Sequence, residues 1–252
     1  SDDATVSISY KKEDMVAKSG SYNYENNTYD WTITVNKGNQ AVLNPVIKDT
    51  LPEEHEPAYD YIYVDEQKVM LDGTEVNGIT ATYDAASNVI TVSRKGYLMS
   101  ASKIYISTKY VGEEQGNATN SVTLSADNLK SSFTVDATVQ YKPLPILQKR
   151  TDYTQGDTIT WEVVMNLDHD NLGQLSIVDQ LSPGLSLDTS SVKLYLATIS
   201  SNGTITATST EIPISSDDIQ YEDTTGIFTV ILPEDLDTHQ CYILKFDTTI
   251  QD

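Results

Sequence analysis

Lys18, Asp49 and Asn120 are three residues of this chain whose types and spacing could do chemistry together. Side chains along a strand alternate between two faces. In "VIKDTL", Ile47 and Leu51 share parity with Asp49, so the carboxyl points to the apolar side. In "TNSVTL", Val122 and Leu124 share parity with Asn120, and Lys18 shares parity with Val16. Burial favours the uncharged forms of a lysine and a carboxyl group. A neutral lysine amine is a nucleophile. A protonated aspartate beside a carboxamide polarises it and shuttles a proton. The expected product is an amide between Lys18 and Asn120, with ammonia leaving. Lys11 and Lys12 compete with Lys18 for this role, and Asn117 competes with Asn120. The plainer readings are a solvated lysine, an acid flanking a turn and a strand-end cap.

The pattern returns downstream. Trp31, Asn36, Ile47, Asp49 and Leu51 recur as Trp161, Asn166, Ile177, Asp179 and Leu181, at a constant offset of 130. Lys149 and Asp179 are therefore the second-copy counterparts of Lys18 and Asp49. No asparagine follows the strand pattern "CYILKFDTTI". The second copy is expected to be cut short, or to find its partner beyond Asp252, and not to form the bond alone.

The elements that must position these residues are strands. The 252 residues include 16 tyrosines, with abundant Thr, Ser, Val and Ile. Strands are expected at 4–10, 30–36, 44–49, 60–70, 78–83, 88–94, 102–110, 119–125 and 131–140. In the second copy they are expected at 158–166, 174–179, 191–198, 218–222, 226–231 and 240–249. In "WTITVN", Trp31, Ile33 and Val35 form the inner face; Thr32, Thr34 and Asn36 form the outer one. Turn signals such as "NKGN", "AASN" and "SSNG" punctuate the pattern, which reads as an all-β protein of two tandem β-sandwich domains. The prolines of "YKPLP" mark the junction. Domain one is then 1–141 and domain two 145–252.

Composition removes several function classes. A net charge of −21 repels nucleic acid and anionic membrane surfaces. The single cysteine, Cys241, forbids a disulfide within the chain. No apolar run is long enough to cross a membrane as a helix. His55, His169 and His239 sit in no recognised nucleophile or metal motif, so neither turnover catalysis nor a metal or other cofactor is expected. "DHDNLG" (168–173) resembles part of a calcium loop but lacks the later bidentate acid, and reads as a hairpin turn. Tyr59, Tyr61 and Tyr63 share one face of "YDYIYVDE". That stripe is either a ligand-binding surface or an aromatic face packed inward.

Taken together, "KSGSYNYENNTYDWTITVN", "VIKDTLP" and "NATNSVTL" resemble domains of Gram-positive surface adhesins and pilus shafts of the collagen-adhesin type. The resemblance covers nearly all of the first copy and most of the second. It implies immunoglobulin-like sandwiches and an autocatalytic Lys–Asn isopeptide bond assisted by an acid. Lys18-Ser19-Gly20, Asp49 and Asn120 match that motif; Lys149, followed by Arg-Thr, departs from it. The implied setting is an extracellular, wall-anchored protein. The implied role is a monomeric stalk module contacting neighbouring domains of the same protein. A host extracellular-matrix adhesin, gripping collagen or fibrinogen in a groove between domains near "YKPLP", is the alternative, and a pilus subunit a third.

Overall fold

A computed structural model describes residues 11–167 and 173–251. The expected strand at 4–10 and most of the "DHDNLG" turn, including His169, lie outside the described residues. The chain is nearly all β and divides into two compact units, 1–142 and 143–252.

The first unit begins with a short helix, α1 (Lys12–Met15). Its strands are β1 (Val16–Asn23), β2 (Thr28–Val35), β3 (Val42–Leu43), β4 (Val46–Thr50), β5 (His55–Pro57), β6 (Tyr61–Val64) and β7 (Gln67–Met70). They continue as β8 (Ile79–Asp84), β9 (Val89–Arg94), β10 (Tyr97–Leu98), β11 (Ser102–Tyr110), β12 (Ala118–Ser125) and β13 (Phe133–Val139). One large sheet runs β1-β2-β11-β6-β7, with β5 also on β11; the second runs β13-β12-β4-β9-β8, and β3 pairs with β10 in a two-stranded sheet. Alternation creates the core between them. Trp31, Ile33 and Val35 from β2, Ile104 and Ile106 from β11, and Ile47, Val122 and Leu124 from the second sheet are all buried in one cluster.

The second unit holds β14 (Leu147–Gln155), β15 (Thr158–Asn166), β16 (Ser176–Gln180), β17 (Leu185–Ile199), β18 (Ile205–Ile212), β19 (Ile219–Glu222), β20 (Ile227–Ile231) and β21 (Cys241–Ile250). One sheet is β14-β15-β21-β17-β18 and the other β16-β20-β19. Leu194, Phe228, Val230, Leu244 and Phe246 fill the core.

Four expectations need correction. The strand expected at 60–70 is a hairpin, β6 and β7, because Asp65 and Glu66 both take left-handed φ angles of 48° and 67°. Asn36 does not face outward with Thr32 and Thr34. It leaves the strand at φ 57°, is fully buried, and its side chain donates to the Gln40 and Leu98 carbonyls. The strand expected at 191–198 runs from Leu185 to Ile199, and β18, unforeseen, pairs with it. No strand was expected over 16–23 or 147–155, yet β1 and β14 carry Lys18 and Lys149 there, and among the described residues both are edge strands of their sheets.

Candidate functional site

Three strands bring Lys18, Asp49 and Asn120 together. β1 pairs with β2 so that Lys18 lies opposite Ile33 and Gly20 opposite Trp31. β12 pairs with β4 so that Val122 lies opposite Asp49. The Lys18 ammonium nitrogen donates to Asp49 Oδ1, and Asn120 Nδ2 donates to Asp49 Oδ2 at 3.1 Å. One carboxyl group therefore bridges the other two residues. The side chains of Lys18 and Asp49 are 0% and 1% exposed, and Asn120 is fully buried. The rivals lie elsewhere. Lys11, Lys12 and Asn117 are exposed, and Asn117 accepts a bond from the Tyr141 backbone at 2.9 Å.

Burial sets the electrostatics. Desolvation holds the Lys18 pKa below its ordinary value, opposed by the attraction and hydrogen bond of Asp49. Desolvation likewise holds the Asp49 carboxyl above its ordinary value, opposed by Lys18 and by the Asn120 bond. Burial thus favours the neutral form of each group, and their mutual attraction opposes it. Asn120 Oδ1 is a buried side-chain oxygen with no hydrogen-bond partner among the described residues. Such an orphan costs about 1–3 kcal/mol. The amide's two orientations are interchangeable in shape. Turning it presents Oδ1 to Asp49 and leaves the nitrogen free, which is the arrangement an acid needs to polarise the carbonyl.

Sequence reasoning passed over the wall of the pocket. The Lys18 nitrogen sits 5.3 Å from the centre of the Trp31 ring. Trp31 Nε1 donates to Thr108 Oγ1 at 3.1 Å, and that oxygen lies 3.2 Å from His55 Nδ1. Burial pushes the His55 pKa down to about 4, so its ring is neutral. Gly20 is required here: a Cβ would lie 2.5 Å from Trp31 Cε3 and 2.7 Å from Val139 Cγ2. The available signal for Thr108 was its parity with Ile104 and Ile106.

The second unit assembles the same pair without the amide. Lys149 donates to Asp179, and its nitrogen lies 4.5 Å from the Trp161 ring centre. Trp161 Nε1 donates to Thr248 Oγ1 at 2.9 Å, as Trp31 does to Thr108. Lys149 and Asp179 are 33% and 16% exposed. Among the described residues no strand occupies the side of β16 that β12 covers on β4.

Tyr59 and Tyr63 are 40% and 41% exposed, so the aromatic stripe faces outward. Tyr63 lies opposite Tyr105 on β11, Tyr59 stacks on Tyr61 at 5.2 Å, and Lys68 caps the Tyr61 ring at 3.8 Å. Beside it a groove of about 490 Å³ is lined by Glu56, Tyr59, Asp60, Asp72 and Tyr83 among others. Among the described residues no group of three or more His, Cys, Asp or Glu is gathered to hold a metal ion. No helix among them is long and apolar enough to cross a membrane.

The fold and the site define a class of tandem β-sandwich domains, each with a lysine–aspartate pair beside a tryptophan ring. The family model described as collagen binding domain matches residues 13–136 and 146–252, and the chain belongs to that family. Among solved structures, the chain is similar to the collagen-binding subdomain of the Enterococcus faecalis surface protein ACE, at 15% identity and TM-score 0.41, covering 54% of this chain and 100% of that one. It is similar to the collagen-binding domain of a Staphylococcus aureus adhesin at 18% identity and TM-score 0.37, with 54% and 100% covered. The S. aureus collagen adhesin CNA aligns at 13% identity and TM-score 0.31, covering 94% of this chain and 80% of that one. No curated protein sequence matches the chain.

Proposed function

We propose that the chain is a structural and adhesive segment of a wall-anchored Gram-positive surface protein, whose first unit is stapled by a self-formed amide between Lys18 and Asn120. The observation that carries this reading is the single buried Asp49 carboxyl in contact with both partners. In the buried pair, the form with neutral Lys18 and protonated Asp49 is the reactive one. Lys18 Nζ attacks Asn120 Cγ while Asp49 gives its proton to the amide oxygen. Asp49 then takes a proton from the attacking nitrogen and passes it to the departing NH2 group. As the carbonyl re-forms, its oxygen returns the first proton to Asp49 and ammonia leaves, so one C–N bond replaces another and Asp49 ends as it began. The reaction occurs once per molecule and is maturation, not turnover.

The mechanical consequence follows from topology. The bond joins β1 to β12, so load entering near residue 18 leaves near residue 120 without stretching the strands between them. It also closes a loop of about 100 residues, which by the chain-entropy argument stabilises the fold by about 4–5 kcal/mol. The bond thus takes the place of the disulfides that a lone cysteine denies. Intact mass of the denatured chain tests this. The mass is expected to fall about 17 Da below the sequence value, the mass of one ammonia, and the deficit to vanish in Lys18→Ala. A wild-type chain at full sequence mass overturns the reading.

A ligand-binding role is supported by the outward tyrosines and the adjoining groove. Exposed aromatics of this kind are favoured at recognition surfaces. Collagen is the ligand named by the family and by the similar solved domains. Binding of the chain to immobilised collagen, with loss in Tyr59→Ala/Tyr63→Ala, is the expected result. Equal binding by both proteins contradicts a role for this face.

A further inference from the structure

The amide of the first unit leaves part of that unit under tension. A bond from Lys18 to Asn120 relieves residues 19–119, but not residues 121–142, which follow it in the chain. Those residues are the rest of β12, a turn and β13. β13 runs back along β12, with Leu124 opposite Phe133 and Ala118 opposite Val139. Tension between Asn120 and Lys142 therefore pulls at one end of a hairpin. The hydrogen bonds of an antiparallel pair lie across the strands. Pulled apart from one end they break one after another, which is the weak direction of a sheet.

A tyrosine cluster sits where that opening would start. The Tyr141 ring meets the Tyr22 ring edge-on at 4.8 Å and the Tyr29 ring at 6.5 Å, and Tyr24 meets Tyr22 at 4.7 Å. The Tyr24 hydroxyl donates to the Lys142 carbonyl at 2.8 Å, and the Tyr141 N–H donates to Asn117 Oδ1 at 2.9 Å. The Tyr29 hydroxyl donates to the Gly116 carbonyl. Tyr22, Tyr24, Tyr29 and Asn117 all lie in the span that the bond relieves. Lys142 is exposed and lies three residues beyond the end of β13, so the bond to its carbonyl serves no core.

We propose that Tyr22, Tyr24 and Tyr29 form a mechanical clamp that holds the exit of the first unit, Tyr141–Lys142, so that tension from beyond residue 142 must break the clamp before it opens the β12–β13 hairpin. The inference rests on the Lys18–Asn120 reading and concerns the segment which that bond leaves unprotected. The anchors are close to the bond in sequence. Tyr22 lies four residues after Lys18, and Asn117 three before Asn120. Tension at Lys142 thus reaches the bonded pair through short stretches of β1 and β12, without passing around the hairpin. The ring contacts and the two hydrogen bonds must give way together, whereas a bare ladder would lose its first bond alone.

The test holds the full chain under constant tension between handles at residues 11 and 143, attached through Lys11→Cys and Pro143→Cys in a Cys241→Ser background. The second unit is then outside the tether. With the amide formed, release of the 22 residues 121–142 lengthens the tether by at most about 70–80 Å. Tyr141→Ala is expected to shorten the wait before that step about tenfold or more. Tyr24→Phe keeps the ring and loses only the bond to Lys142, and is expected to shorten it about threefold with an unchanged melting curve. The mass deficit of about 17 Da shows that each variant has folded and closed its first unit. Tyr24→Phe decides alone where Tyr141→Ala fails to close. Waiting times equal to wild type in the closed variants overturn the clamp and leave the bond standing. A wild-type step longer by roughly 350 Å, from release of residues 19–119 as well, overturns the amide on which the inference rests.

Discussion

The two units hold the same lysine–aspartate pair under different cover. In the first, β12 seals Lys18 and Asp49 from water and delivers Asn120 onto the carboxyl. In the second, no strand among the described residues covers the pair, and it is part-exposed. The residue types are equal; the burial is not. A part-exposed ion pair is worth little. A sealed one pays for desolvation and is pushed towards its neutral form. The strand that covers the site is thus as much a part of the chemistry as the groups that react.

Removing the acid should separate the units most. In Asp49→Ala the mass deficit is expected to disappear, and the first unit to lose about 4–5 kcal/mol with the cross-link. The unpaired Lys18 left in the core costs about 3–5 kcal/mol more. Calorimetry should show one transition falling steeply. Asp179→Ala should shift the second unit by about 1 kcal/mol or less, because its pair is part-exposed.

The next contrast is the residue opposite each tryptophan. Gly20→Ala places a methyl group against the Trp31 ring and Val139, and is expected to cost about 1–3 kcal/mol and to slow ammonia loss during refolding. Thr151 occupies the matching place opposite Trp161 and is exposed. Thr151→Ala should change stability by about 0.5 kcal/mol or less. Equal effects at the two positions contradict the close packing around Lys18.

Acid should also distinguish the units. His55 is held neutral by burial, with its pKa lowered from 6.5 to about 4. The unfolded chain then binds the extra proton first, so stability contributed by this site is full above pH 6.5 and is lost as pH falls towards about 4. A pH series of melting curves should show that slope in the first unit and a flatter one in His55→Gln. The smallest expected contrast between the units comes from the indole bonds. Thr108→Val removes the acceptor of Trp31 and a contact of His55, and should cost about 1–2 kcal/mol. Thr248→Val removes only the acceptor of Trp161, and should cost about 1 kcal/mol or less.

The inward aim of Asp49 and Asn120 is legible because strand parity is strict and both are flanked by apolar residues of the same parity. The two-copy sandwich is legible for the same reason, reinforced by a constant offset. What parity does not carry is the place where a strand stops. Asp65 and Glu66 are ordinary polar residues in sequence, and only their left-handed backbone turns one expected strand into a hairpin. Asn36 continues the outward parity of Thr32 and Thr34, yet a left-handed turn sends its amide inward to cap loop carbonyls. The outward aim of the Tyr59–Tyr63 stripe is equally hidden. Aromatic alternation marks a face without saying which side the other sheet covers. β18 was missed because "TATSTE" lacks an apolar rhythm.

The most direct test is tandem mass spectrometry of a protease digest of the denatured wild-type chain. One branched peptide pair joined from Lys18 to Asn120 is expected, lighter by about 17 Da than its two parts, with Lys149 recovered unmodified in the same digest. Recovery of free Lys18 and free Asn120, or a bond at Lys149 in the chain alone, would contradict it.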